Sequence, residues 1–341
     1  MKISGRARLA VVVAAAVAVG VSACSSSAAG GSGGSGAGSK KVNIVAFSVP
    51  KPAYDAAEAA FQKTAQGKGV TFGASYGPSG SQATAITTGQ PADYVGLSLE
   101  PDMAKLVPQF VASDWDTGKT KGIVSTSIVV ITVRKGNPLH ITSWDDLTKP
   151  GVKIVTPDPA TSGSAKWNLL AAYEHVLAEG KSQADAEAYL TAFFKNVVSK
   201  PASGSDAMQT FLGGTGNVLI SYENEAIHAR QTGSDIDYVI PPQTVLIENP
   251  GAVTKNASTA AKNFLSFVES AAGQKIFAAN GFRPVDNIVS PGTVQGANDP
   301  ANPYPAPQKL LTVAQLGGWD KLNDQLFGDP DGIITKIEAG S

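Results

Sequence analysis

Two long runs of β-branched and apolar residues, IVSTSIVVITVRKG at 123–136 and QTVLIENPGAVTK at 243–255, constrain this chain more than any other feature. Each is far longer than the usual strand of about 5–6 residues. Before the first run, VNIVAFS at 42–48, VTFGASY at 70–76 and ADYVGLSL at 92–99 read as strands alternating with helical patterns. Between the two runs the same alternation resumes, with a strand at VKIVTP, helices over 165–179, 183–195 and 205–212, and a strand at NVLIS. Alternation of this kind predicts an α/β protein with mixed sheets flanked by helices. Two long extended crossings divide it into two lobes, 42–127 plus 250–341 and 128–249. A cleft then lies between the lobes, where small ligands usually sit.

The N-terminus follows a different grammar. Lys2, Arg6 and Arg8 precede an apolar run from Leu9 to Val21, which ends in Ser22 and Ala23 before Cys24. Residues 1–23 therefore read as a secretory signal peptide, because the run is too short to cross a bilayer comfortably. VSAC resembles the lipobox of bacterial lipoproteins, which makes Cys24 an acylated first residue; a plain signal peptide followed by an unmodified cysteine is the other reading. Cys24 is the sole cysteine, so no disulfide can form within one molecule. Residues 24–41 continue as a Gly/Ser tether that cannot bury a core. The expected place is the outer face of the cytoplasmic membrane.

Once residues 1–23 are removed, 24 Lys and Arg face 28 Asp and Glu, a net charge of −4. With no basic stripe and no interleaved aromatics, a nucleic-acid partner is not expected. Nor would net charge draw an anion from a distance.

Three junctions share one design: a strand, a loop of small hydroxyl residues and glycine, then a helix. In SYGPSGSQATAI, Ser79 and Gln82 have the spacing of a capping box. In TPDPATSGSAKWNLLAAY, Ser162 and Gly163 precede Trp167, Leu170, Tyr173 and Leu177, which recur at helical spacing and should face the core. In KPASGSDAMQTFLGG, Gly204 or Ser205 starts a helix that buries Met208, Phe211 and Leu212. Ser48, at the end of the first strand, is a fourth candidate. Any one junction taken alone is a helix cap. Together they can also hold an anion, since each helix start presents unpaired N–H groups and glycine lets a ligand approach the backbone. A helix start contributes about 0.3–1 kcal/mol toward a nearby anion, and about 2 when partly buried. Three starts with several charge-assisted hydrogen bonds can offset the desolvation of a small dianion without lysine or arginine. A donor-only pocket suits an ion that carries acceptors only, such as sulfate. Phosphate keeps a proton part of the time and needs an acceptor as well.

These residues resemble the bacterial sulfate- and thiosulfate-binding proteins that serve ABC importers, over about 42–331. VRKGNPLHITSWDDLTKPGVKIVTPDPATSGSAKWNLLAAY is similar to the family segment containing NPKSSGGARWN. GPSGSQAT is similar to GGSGKQAT, GNVLISYENEA to GDVLIAWENEA, and GQKIFAANGFRP to EGQEIAAKNFYRP. The resemblance implies a two-lobed periplasmic-binding-protein-like fold of type II that captures sulfate through uncharged donors and hands it to an ABC permease. It further implies a monomer with no cofactor and no catalytic residue. By position it places Ser79 and Gly80, Ser162, Gly163 and Ser164, Ala202 with Ser203, and Tyr222 around the ion, with Ser48 near an aspartate of the family. Three departures stand out: Ser164 replaces a glycine, Tyr222 replaces the cleft tryptophan, and two prolines, Pro50 and Pro52, follow Ser48.

Two other classes compete. A secreted serine hydrolase would use GPSGS as its nucleophile turn, but Ser81 stands where that motif needs glycine, and only His140, His175 and His228 could act as base. A receptor for another oxyanion, such as molybdate or phosphate, differs only in the pocket's fine chemistry. Metal chemistry lacks paired cysteines or an HExxH run.

Overall fold

A computed structural model describes residues 40–340. The signal-peptide and Cys24 readings lie outside the described residues. The chain opens with β1 (Lys41–Phe47), α1 (Lys51–Phe61), β2 (Thr71–Gly77), α2 (Ser79–Thr87), β3 (Tyr94–Gly96) and α3 (Glu100–Ala104). It continues through β4 (Ile123–Arg134), β5 (Ile154–Val155), α4 (Gly163–Ala178), α5 (Gln183–Lys195), β6 (Val197–Ser199), α6 (Gly204–Leu212), β7 (Val218–Tyr222), α7 (Glu223–Gln231) and β8 (Ile236–Val239). After β9 (Gln243–Val253) come α8 (Thr259–Glu269), α9 (Ala271–Ala279), β10 (Lys309–Leu311), α10 (Val313–Leu316), α11 (Trp319–Phe327) and α12 (Ile333–Ala339).

The strands run in the order β2-β1-β3-β9-β4-β7-β5-β6, with β10 on β9 and β8 on β4. β1 pairs parallel to β2 and β3, and β5 pairs parallel to β6 and β7. Between these two parallel sets, β9 and β4 pair antiparallel to each other, β9 antiparallel to β3 and β4 antiparallel to β7, while β10 joins β9 in parallel. The two β-branched runs are therefore the seam of one mixed α/β sheet. Parallel strands covered on both faces read as continuous apolar runs, and β1 does so, from Ile44 to Phe47.

Helix α1 buries Ala53, Tyr54, Ala57 and Phe61, one stripe of an amphipathic helix. α4 differs: it is buried almost all round, including Glu174 and His175, because it packs against both α5 and β9. His175 gives no base to the surface. Its ring lies between Trp144 and Tyr189, and burial pulls its pKa down.

Two motifs quoted from the sequence meet in space. Arg283 of GFRP donates from Nε to Glu223 Oε2 at 2.7 Å and from Nη2 to Oε1 at 3.1 Å. This bidentate pair anchors the first residue of α7, next to Tyr222. The C-terminal elements reach across the molecule: Trp319 of α11 packs edge-on to Trp167 at 4.7 Å, and α12 lies on α5.

Candidate functional site

Strand β3 ends where α2, α3 and α4 converge, and the polar groups between them are buried. Ser98, just past β3, is fully buried and uses every polar atom it has. Its N–H donates to Ser79 Oγ at 2.9 Å, and its carbonyl accepts from Trp167 Nε1 at 2.9 Å and from Asn249 Nδ2 at 2.8 Å. Its hydroxyl lies 2.8 Å from the Tyr222 hydroxyl. Ser164 and Asn249 also hydrogen-bond the Tyr222 side chain, and burial pushes the phenol's pKa up, so it stays a neutral hydroxyl. Strands from both parallel sets thus meet at one residue.

The three junctions do not behave alike. At α4, Ser162 is the N-cap and its Oγ accepts from Ala165 N–H at 3.4 Å, a long bond. The N–H groups of Gly163 and Ser164 then open the helix without an intrahelical partner. A Cβ on Gly163 would sit 2.7 Å from Ser98 Cβ, so only glycine lets α4 approach so closely. At α6, Ser203 caps the helix; its hydroxyl accepts from Asp206 N–H at 3.1 Å and donates to the Asp206 carboxylate at 2.6 Å. Gly204 packs on Val49 and Ser164 and presents the next N–H.

At α2 the expected capping box does not form. The helix begins one residue early, with Pro78 as an extended N-cap, so Ser79 stands inside the first turn. Its hydroxyl turns away from its own helix and donates to Asp102 Oδ2 at 2.7 Å. Asp102, on α3 and 5% exposed, also receives Lys105 Nζ at 2.7 Å. A carboxylate on a helix therefore does stand beside the donor-only pocket expected from sequence; both of its oxygens are engaged. Gly80 N–H donates to the Thr161 carbonyl at 3.3 Å, joining the start of α2 to the loop before α4.

The remaining candidates are less exposed to a common centre. Ser48 N–H is taken by the Gly77 carbonyl at 3.1 Å, which leaves its hydroxyl. Ala202 is exposed, and its carbonyl accepts from Thr161 Oγ1 at 2.9 Å. Ser79, Gly80, Ser162, Gly163, Ser164 and Tyr222 are brought together, Ser203 flanks them, and Ser48 lines the adjoining cavity with Val49. Sequence reasoning missed Ser98, Asp102 and Asn249, and took Trp167 for core alone. Ser98 carries a readable signal: it is a polar residue set between Leu97 and Leu99.

Ser79 Oγ is bonded to Asp102 and Ser98, and none of its partners is a histidine. The base that a nucleophilic serine needs is not beside it. No cluster of metal-ligating side chains occurs among the described residues, and none of the described helices is long and apolar enough to cross a membrane.

The profile of the "bacterial extracellular solute-binding protein" family matches residues 42–283. The chain belongs to this family. The sulfate-binding protein of Synechococcus elongatus is 36% identical over 87% of this chain and 86% of its own. The thiosulfate-binding protein of Escherichia coli is 31% identical over 80% of this chain and 83% of its own. The solved sulfate-binding protein SubI of Mycobacterium tuberculosis H37Rv is 43% identical, with a TM-score of 0.78 over 84% of this chain and 99% of that one. A periplasmic thiamin-binding protein, at 16% identity and a TM-score of 0.64 over 82% of this chain and 93% of its own, shares the fold. These relatives carry the names of binding proteins, not enzymes.

Proposed function

We propose that this solute-binding protein captures sulfate, and thiosulfate as a second ligand, and delivers it to an ABC permease. The reading is supported above all by the buried meeting of the α2 and α4 starts around Ser98, where uncharged N–H and O–H groups outnumber carboxylates. The relatives named for sulfate and thiosulfate support it independently. The ion is held by the N–H groups of Ser79, Gly163 and Ser164 and by the hydroxyls of Ser162 and Tyr222, with Ser48, Gly80, Ala202 and Ser203 at the margin. Such dipoles neutralise a dianion without a counter-ion whose own desolvation would have to be offset.

The lobes are 42–127 plus 250–341 and 128–249, with β4 and β9 as the crossings and the C-terminal helices strapped over α4 and α5. Closure brings Gly80 to Thr161 and Tyr222 to Ser98, and expels water from around the ion. The mature monomer is held at the outer face of the cytoplasmic membrane by a lipid on Cys24, and it performs no catalysis. Calorimetric titration of residues 25–341 with sulfate, thiosulfate, molybdate and phosphate tests this. Sulfate should bind at micromolar concentration or tighter and phosphate at least tenfold more weakly. Preference for phosphate, or no heat with any tetrahedral dianion, would defeat the reading.

A further inference from the structure

Beside the polar seam lies a cavity of about 430 Å³, of whose lining the oxyanion reading uses Ser48 alone. Its walls come from the start of α1, from one face of α6, from α7 along its length and from Asn280 and Phe282. Val49, Met208, Leu212 and Phe282 make most of it apolar. Two buried polar atoms along it are unpartnered, beside the hydroxyls of Ser48 and Ser205. Asn224 is 2% exposed and its Oδ1 has no hydrogen-bond donor; the buried His228 Nδ1 has no partner either. Glu225, 8% exposed, lines the same wall and receives one long bond, from Tyr222 N–H at 3.4 Å. The one cation of the lining, Lys51, is drawn away: its Nζ pairs with Asp55 at 2.5 Å and lies over the Tyr76 ring.

An apolar cavity of this size with buried acceptors lacking donors is the usual build of a small-molecule site. We infer that it is a second binding site, for a small organic ammonium ion whose hydrocarbon body fills the Met208–Phe282 side and whose N–H groups bond Glu225 and Asn224. An alcohol of the same size supplies one donor and no charge, so it fits less well. Burial holds the Glu225 pKa near 7 in the empty cavity. A bound ammonium stabilises the carboxylate and displaces that proton. Because α1 and α7 belong to opposite sides of the seam, the occupant touches both.

Hexylammonium and hexan-1-ol serve as probes in calorimetric titration of the mature chain. Gln209 and Thr232 are exposed residues at the cavity rim, so Gln209→Trp and Thr232→Trp fill its mouth with little risk to the fold. Saturable binding of hexylammonium is expected, at least tenfold tighter than hexanol and weakened at least tenfold by each tryptophan and by Glu225→Gln. Absence of saturable binding, equal affinity for the alcohol, or insensitivity to these substitutions would overturn the inference. Sulfate titration of the two tryptophan variants checks that they fold. Loss of sulfate binding in the unmodified chain would sink the oxyanion reading alone, while failure of the amine arm would sink this one alone.

Discussion

The starts of α2 and α4 are near-copies in sequence, SGS at 79–81 and SGS at 162–164, yet they do opposite work. At α4 the serine caps, the glycine sits against Ser98, and the helix N–H groups stay turned to the seam. At α2 the serine is one position further in, and its hydroxyl serves a carboxylate 23 residues away. A hydroxyl has a single proton to give. Once Asp102 takes it, Ser79 offers an anion its backbone, while Ser162 keeps its proton for a ligand. The difference teaches that a small-residue helix start is a donor site or a structural tie according to what long-range partner reaches it.

The most severe way to break this comparison is Gly163→Val. A branched side chain there meets Ser98 and Leu99, and overpacking of about 2–3 kcal/mol should lower sulfate affinity by roughly 100-fold in calorimetry. The pair Ser79→Ala and Ser162→Ala sharpens it. Ser79→Ala leaves Asp102 Oδ2 and Ser98 N–H without partners. It should cost about 1–3 kcal/mol of stability in urea unfolding, with affinity changed less than tenfold. Ser162→Ala removes a long cap bond and a free donor, so affinity should fall by about 1–2 kcal/mol with a smaller stability loss. Equal behaviour of the two alanine variants would erase the distinction.

The start of α7 extends the comparison, because its capping partner is a carboxyl. Burial raises the Glu225 pKa to about 7. The folded chain therefore holds a proton that the unfolded chain has released, and stability falls as pH rises from about 4.5 to 7. Glu225→Gln removes this penalty, so its gain over the parent chain should be larger at pH 8 than at pH 5, by on the order of 1–3 kcal/mol. Urea midpoints at the two pH values check it. The smallest effect is that of salt. With no charged side chain on the ion, sulfate affinity should change less than about threefold between 0.05 and 0.5 M sodium chloride.

Much of the fold was legible because its signals are local. The runs at 123–136 and 243–255 are long and β-branched, and they pair as the antiparallel strands of the seam. The helix starting after Ser182 announced itself by spacing and begins at Gln183. VKIVTP was readable only in part: two of its residues pair, since the strand gives way to the proline-rich loop before α4. The site was legible in its glycines and hydroxyls and illegible in its wiring. Nothing near Ser79 in the sequence points to Asp102, and nothing near Trp167 points to the carbonyl of Ser98. Those partners are set by how α3 and α4 pack, which no local pattern encodes.

A crystal structure of the mature chain with bound sulfate tests the central claim most directly. The account predicts the ion at the seam, about 2.7–3.2 Å from the N–H groups of Gly163 and Ser164 and from the Tyr222 hydroxyl, with no lysine or arginine touching it. An ion held by Lys105 or another cationic side chain, or one lying away from Ser98, would contradict it.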